Sequence, residues 1–515
     1  MKAVSIFNHV IGPVMRGPSS SHTAGAFHIG AMARSLAGGT PKAAVIAFDA
    51  DGSYAKCCRE QGADLAFAAG LMGWSITDER FPDAAKAAAE AGMAIEFVVG
   101  RLEQADHPNA VDIQLTTADG RTFRARANSV GGGAIEFVRL AGWPVHFTGD
   151  AHEIAVEVKR GAEAQALDLL ARDGAAIGEP DRVAREAHSL LCVRRRRPLP
   201  EEARRRLASL GGVEHVWASE PLFLVPSGEP LFAGAKEMVS LARDRGLSLG
   251  RVALEYESVL LGLSGDEVLA ESSRRFDVMR RAVERGLESP PKMRLLSPSA
   301  GRIYEAEAGG RLAAGGLHAR AAARALAVMH VNGGMGVVCA APTAGSAGVL
   351  PAVLVTLAEE KRLEPEKVGL ALLAAGAVGV VVANRATFAA EVAGCQVEIG
   401  AAGAMAAAAV VDAAGGSAEQ AADAAAIAFQ NTMGSVCDLV QGIVEIPCHT
   451  RNAAAASNAF LCADLILGGY ANPIPLDETV DAAYAVGKML PRELRCTALG
   501  GLAATPAARA MKRLR

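Results

Sequence analysis

The sequence predicts an α+β multidomain chain, and three observations carry the prediction. Over residues 1–148, apolar segments of strand length alternate with Ala-rich helical patterns, the signature of an α/β unit. Over 150–221, short alternating strands and helices follow in the order βαββαβ, and from 230 to 515 the pattern is all-helical, rich in Ala and Leu and punctuated by Gly and Pro. A length of 515 residues, at about 150 per domain, agrees with three units.

In chain order, a Gly/Ser/Pro-rich entry leads into a helix at Ala24–Leu36, opened by a Ser/Thr N-cap signal. An apolar segment at Ala43–Phe48, helices at Asp64–Met72 and Pro82–Ala91, and strands at Ala94–Val99, Val111–Thr117 and Thr122–Asn128 follow. Ala118, Asp119 and Gly120 read as a hairpin turn, and the glycine run ending at Gly133 is expected to break regular structure. The middle unit reads as strand His152–Val158, helix Glu163–Ala171, a short strand near Ala175–Gly178, strand Ser189–Val193, helix Glu201–Leu210 and strand Val213–Ala218. That order is ferredoxin-like, an arrangement that many unrelated small modules share. In the last unit, Val368–Asn384 is an uncharged run of 17 residues, short of a bilayer span, and reads as a buried helix. Ala401–Ala428 is nearly low-complexity, yet Gly415, Gly416 and Ser417 followed by Glu419 mark one helix end and a new N-cap, so it reads as two core helices.

Composition narrows the function classes. A net charge of −4 gives no basis for nucleic acid or an anionic membrane as the main partner. Hydrophobic residues make up 51% but aromatic ones only 4%, with 55 glycines, so the core must be built from small side chains in close contact. The N-terminus has no export-signal pattern, and a cytoplasmic location is expected. Nine cysteines, an odd number, favour thiols, ligands or catalysis over a disulfide framework. The arginines at 194–197 and 204–206 read as a solvated strand end and helix face.

Cys395, Cys437 and Cys448, spaced by 42 and then 11 residues, each lie close to Gly or Pro. Helix ends and turns there leave backbone N–H groups free to stabilise sulfur, so these thiols suit zinc or an iron–sulfur cluster; buried structural thiols are the plainer alternative. Residues Gly17–Gly25 contain Ser19, Ser20, Ser21, His22 and Thr23, donors suited to a carboxylate or another anion, or to an ordinary helix cap. His107 in a His-Pro-Asn turn is a weaker candidate. Ala341–Gly348, with Thr343 and Ser346, is a further hydroxyl-bearing loop that lacks the lysine of a phosphate-binding P-loop.

Taken together, Pro18–Thr23, His107–Asn109, Ala341–Ser346, Gly394–Gln396 and Pro447–Ala453 resemble the motif series of the iron–sulfur-dependent bacterial L-serine dehydratases. The resemblance implies a fused chain: residues 1–148 similar to the family's β part, 150–221 to its ACT-like regulatory module and 230–515 to its α part. It implies a [4Fe–4S] cluster on Cys395, Cys437 and Cys448 with one iron open to substrate. It also implies that the Ser19–Thr23 loop closes over the cluster, that His107 is an active-site histidine, and that Arg451 and Asn452 lie near the substrate carboxylate. The expected reaction is the β-elimination of a small amino acid, L-serine, to pyruvate and ammonia; an amino-acid effector on the ACT-like module and a homodimer are also expected.

The sequence departs from that pattern where the family usually has Gly-His-Gly-Thr-Asp: Gln61 takes the place of the His and Ala63 that of the Thr. An amide cannot act as a base, so His22, His28 and His107 are the candidate imidazoles. Some members end in a cysteine that fills the open iron site; here Cys496 is the last, and no such self-inhibition is expected. L-cysteine desulfuration, or action on a related β-hydroxy amino acid, is the alternative activity, and a non-catalytic amino-acid or redox sensor the alternative of another class. The chain is Arg-rich and Lys-poor and has no Schiff-base lysine loop, which argues against pyridoxal phosphate.

Overall fold

Burial decides where the first residues go. The computed structural model describes residues 3–514, and in it the N-terminal segment is threaded into the helices formed by residues some 250 positions later. Ser5 caps a helical turn, Ile6–Val10. The fully buried Glu257 carboxylate accepts hydrogen bonds from Ser5 Oγ at 2.5 Å and from the backbone N–H groups of Ile6 at 2.8 Å and Phe7 at 3.0 Å. Arg275 donates to the Phe7 carbonyl at 2.8 Å. The turn lies in a groove of the helix Pro365–Arg385 that two glycines leave open. A Cβ at Gly376 or Gly379 would come within 2.4 Å of Ile6 Cγ2 or 2.0 Å of Val10 Cγ1, respectively.

Twelve strands are present among the described residues: β1 Val14–Arg16, β2 Ala43–Asp49, β3 Ala94–Gly100, β4 Ala110–Thr116, β5 Thr122–Gly131, β6 Ala134–Leu140, β7 Trp143–Phe147, β8 His152–Lys159, β9 Ala176–Ala184, β10 His188–Arg195, β11 Val213–Ser219 and β12 Val337–Cys339. The first sheet has the order β3-β2-β4-β5-β6-β7, parallel between β2 and β3 and antiparallel elsewhere. Helices Gly25–Leu36 and Ala63–Met72 pack against each other beside it. The glycine run does not end regular structure as the sequence suggested. β5 continues to Gly131, and Gly131, Gly132 and Gly133, all with positive φ, turn the chain directly into β6.

The second sheet, β11-β8-β10-β9, is antiparallel and joins helices Glu163–Ala171 and Glu201–Ser209 in the order βαββαβ. β9 extends to Ala184, well past the short strand expected, because Pro180 and its charged neighbours mask it. β9 is an edge strand, where a proline without an N–H costs no interior ladder bond. The arginine run is only partly a solvated face. Arg206 and Arg205 pair with Glu202 and Glu201 on an exposed helix, but Arg195 is fully buried and donates to Asp173 Oδ2 at 2.7 Å.

The remaining chain packs long helices around a core of alanine and valine. Ile399–Ala413 is buried at every residue, and Ser417 caps the next helix, Ala418–Gln430, with Gln420 rather than Glu419 completing the reciprocal cap. Two segments, Pro365–Arg385 and Cys395–Ala413, are long and apolar enough to cross a membrane by length and composition; 78% and 94% of them are buried inside the protein, as core helices. The region is not helical throughout. β12 pairs antiparallel with β1, Val14 opposite Cys339, so the N-terminal segment supplies a partner that local pattern could not reveal.

Replacing Glu257 with Ala strands two buried N–H groups and is expected to lower unfolding stability by about 3 kcal/mol or more, read as a urea midpoint shift. An unchanged midpoint would mean that this carboxylate does not hold the N-terminal segment.

Candidate metal centre and substrate cavity

Three loops of the helical region carry the thiols that the sequence singled out. Cys395 opens a short 3-10 turn, Cys395–Val397, just before the helix at Ile399. Cys437 lies in an extended segment bridged to Arg495, and Cys448 is the first residue of the helix Cys448–Leu467. All three are buried. The ligand atoms of Cys395, Glu398 and Cys437 lie within 4.8 Å of one another.

Cys437 and Cys448 line a narrow cavity, which Ser19, Ser20, Ser21, Gln61, Thr343, Glu391, Glu398 and Cys496 also line. The serines reach it because β1 ends three residues before Ser19, so the pairing of β1 with β12 delivers the loop to the cysteines. Cys395 faces a neighbouring, more open cleft that Arg451 shares.

The electrostatics follow from crowding sulfur and carboxylate in a dry site. The Cys395 thiol is held well above its usual range by its hydrogen bond to Cys437 and by burial. In Cys437, Cys395 pulls downward, but Cys496 and burial push upward by more. Burial raises Cys448, and the negative potential of Cys395 and Glu398 adds to it. Burial also pushes Glu398 up to about 7, against the Thr343 hydroxyl that donates to it at 2.5 Å. Arg451 supplies the compensating charge: it lies 3.8 Å from Cys395 Sγ, donates to the Val436 carbonyl at 2.7 Å and pairs with Asp438 at 3.0 Å. Thiols in such a setting stay protonated until a cation binds the sulfur, which releases the proton to solvent. Three buried thiols beside the Glu398 carboxylate and an arginine form a sulfur-rich donor set of the kind that suits an iron–sulfur cluster.

On the opposite wall, Ser21 Oγ donates to Glu391 Oε1 at 2.5 Å and lies 3.1 Å from His22 Nδ1. His22 Nε2 contacts Ser53 Oγ at 3.0 Å, which gives a chain Ser53–His22–Ser21–Glu391 leading into the cavity. Burial lowers the His22 pKa, and the nearby Glu391 charge acts against that.

The structure therefore brings Ser19, Ser20, Ser21, Thr343, Cys437 and Cys448 onto one cavity, with His22 immediately behind Ser21. Other candidates lie elsewhere. Thr23 Oγ1 donates to the Gln61 carbonyl at 2.7 Å, and Ser346 Oγ turns towards Thr343 at 3.1 Å. Asn452 Nδ2 is occupied by the carbonyls of Gly345 and Cys448, each at 2.8 Å. His107 is not among the cavity-lining residues; its Nδ1 accepts the Asn109 N–H at 3.1 Å in its turn, and burial lowers its pKa while the nearby Glu391 charge acts against that. His28 lines a different cleft: its Nδ1 meets the Gly133 carbonyl at 2.7 Å and its ring packs on Phe223. Gln61 lines the cavity and donates to the Gly442 carbonyl at 3.2 Å. Sequence reasoning missed Glu391, Glu398 and Cys496. Glu398 was visible as a carboxylate three residues after Cys395, and Glu391 four residues before it; Cys496 carried no local signal.

Residues 244–503 match the family described as serine dehydratase alpha chain. The chain is 39% identical over 284 residues, 55% of its own length and 95% of the relative's, to the probable L-serine dehydratase, alpha chain, of Bacillus subtilis. It is 37% identical over 281 residues, 54% and 96% of the respective lengths, to the L-serine dehydratase, alpha chain, of Peptoniphilus asaccharolyticus. With the L-serine dehydratase TdcG of Escherichia coli it shares 39% identity over 181 residues, 35% of this chain and 40% of that one.

Burial depresses the pKa of His28 to about 4, the Gly133 carbonyl opposing it only in part. The unfolded chain therefore binds more protons at His28 between pH 6.5 and 4, so its contribution to stability is complete above that window and falls as pH drops through it, by about 3 kcal/mol. His28→Gln should have a shallower fall in urea midpoint between pH 7 and 4.5 than wild type; parallel curves would exclude His28 as a source of acid sensitivity.

Proposed function

Because the chain belongs to the serine dehydratase alpha chain family, we propose that it is an L-serine dehydratase, a lyase that converts L-serine to pyruvate and ammonia. The observation that carries the reading is the single cavity on which Cys437, Cys448, two buried carboxylates and the Ser19–Ser21 loop converge, with Cys395 at its back. In this reading Cys395, Cys437 and Cys448 hold a [4Fe–4S] cluster, which supplies Lewis acidity for departure of the β-hydroxyl group.

The protein's own groups do the rest. The Ser19 and Ser20 hydroxyls offer hydrogen bonds to the substrate carboxylate, while Glu391 and Glu398 give the cavity the negative character that an ammonium group requires. No histidine lines the cavity among the described residues, so the Cα proton goes to Glu391, and the Ser21–His22–Ser53 chain holds that carboxylate and spreads the proton's charge. The enamine left after loss of water tautomerises to an imine, which hydrolyses to pyruvate and ammonia. The same reading makes residues 1–148 the fused counterpart of a β part and residues 150–221 an amino-acid-sensing module, in a cytoplasmic homodimer.

Gln61 on the cavity wall favours one second reading, a changed leaving group with L-cysteine as substrate. Anaerobic reconstitution with iron and sulfide, followed by assay of pyruvate from L-serine and of sulfide from L-cysteine, separates the two. Wild type should make pyruvate, and Cys437→Ala should lose at least about 100-fold of that rate, or about 2.7 kcal/mol. Glu391→Gln should lower kcat by about 100-fold with iron content unchanged. Sulfide release without pyruvate from L-serine would replace serine by cysteine; neither product would remove the lyase assignment.

A further inference from the structure

Gln61 and Cys57 are buried polar groups that the proposed reaction does not use. Gln61 lines the cavity, and Cys57, four residues earlier, accepts the Gln61 backbone N–H on its carbonyl at 2.9 Å. The backbone of this turn is pinned from two further sides: Thr23 Oγ1 donates to the Gln61 carbonyl at 2.7 Å and Arg294 Nη1 to the Glu60 carbonyl at 3.1 Å. The side chain is oriented as well. Gln61 Nε2 donates to the Gly442 carbonyl at 3.2 Å, in the loop between Cys437 and Cys448. Gly442 has φ 74°, and a Cβ there would come within 3.1 Å of Cys57 Sγ, so the missing side chain leaves room for the sulfur against that loop. Burial pushes the Cys57 thiol up to about 12, against the hydrogen bond that it receives from the Gln61 side chain.

A carbonyl and a neutral sulfur thus take up the NH2 end of the amide, and this decides which end faces where, because the two ends differ only in donating and accepting. The Oε1 end is the one left for the cavity that Gln61 lines. We propose that Gln61 Oε1 accepts a hydrogen bond from the α-ammonium group of the substrate, which makes Gln61 a specificity residue that selects α-amino acids over carboxylic acids of the same shape, with Cys57 and Gly442 as the groups that position it. The inference deepens the lyase reading and rests on it; it applies to L-serine and L-cysteine alike, since both carry the ammonium group. An uncharged acceptor suits this wall. Glu391 and Glu398 already bring two carboxyl groups to a buried cavity, where a third would be costly to ionise. An imidazole in place of the amide would turn cationic on protonation and repel the ammonium group.

The test uses full-length wild type, Gln61→Leu, Gln61→His, Cys57→Ala and Cys57→Ser, reconstituted anaerobically with iron and sulfide and matched for iron content. Calorimetry measures the binding of L-alanine and of propionate, which differ only in the ammonium group, and pyruvate formation gives kcat and KM for L-serine. Wild type should bind L-alanine more tightly than propionate. Gln61→Leu should weaken L-alanine binding by about tenfold or more and propionate binding by less than about twofold, with KM for L-serine raised by about tenfold and kcat changed less. Cys57→Ala should share part of that loss, and Cys57→Ser, which restores an acceptor, should recover it. In Gln61→His the KM ratio to wild type should rise as pH falls from about 8 to about 6, the range in which imidazole gains its proton. Equal weakening of both ligands by Gln61→Leu, or no weakening, overturns the proposal and leaves the lyase assignment intact. Should that variant not fold, a wild type without preference for L-alanine, or a KM ratio in Gln61→His that stays flat with pH, does the same. A wild type that releases neither pyruvate from L-serine nor sulfide from L-cysteine overturns both this proposal and the reading it rests on.

Discussion

The grip of the Glu257 carboxylate on the backbone of Ile6 and Phe7 is the interaction on which the site depends. A carboxylate with no exposure is costly, and burial raises its pKa, yet its hydrogen bonds to two N–H groups and the Ser5 hydroxyl, with Arg275 close by, offset the loss of water. Once that turn is seated over Gly376 and Gly379, β1 falls in register with β12 and the serine loop has one place to go. The cavity is thus built from both sides of the matched region's boundary: a segment outside residues 244–503 faces loops within them that carry the cysteines.

Small side chains make such a site possible. Helices rich in alanine approach closely, and Ile399–Ala413 passes through the core without an exposed residue. The space saved accommodates loops that keep sulfur and carboxylate dry. Arg451 is a partial counterweight, since its contacts with Cys395 and Asp438 bring positive charge beside thiols that burial and crowding hold protonated.

What the sequence made legible divides by the range of the interaction responsible. The βαββαβ order and most of its boundaries could be read because alternation and helical period are local; His152–Lys159 and Glu163–Ala171 lie within a residue of the expected elements. β6 and β7 escaped because three glycines resemble a break when they are in fact a turn, and the length of β9 because Pro180 argues against a strand everywhere except at an edge. The pairing of β1 with β12, across more than 300 residues, has no local trace. At the cavity, the cysteines and the serine loop announced themselves by spacing and by Gly and Pro neighbours. Cys496 did not, because an isolated thiol gains meaning only from what folds against it.

The seating of Ile6 and Val10 against Gly376 and Gly379 also constrains the order of biosynthesis. The first apolar turn to leave the ribosome must wait until roughly 380 residues have been made before its groove exists, while β2–β11 can already pair among themselves. Such distant contacts form late because chain closure must precede their reward. During that interval Ile6, Phe7 and Val10 are open to chaperones and to neighbouring nascent chains. Maturation of the sulfur-lined cavity is therefore tied to completion of the polypeptide: the wall bearing Ser19–Ser21 cannot be set before the helices that carry the cysteines have been synthesised.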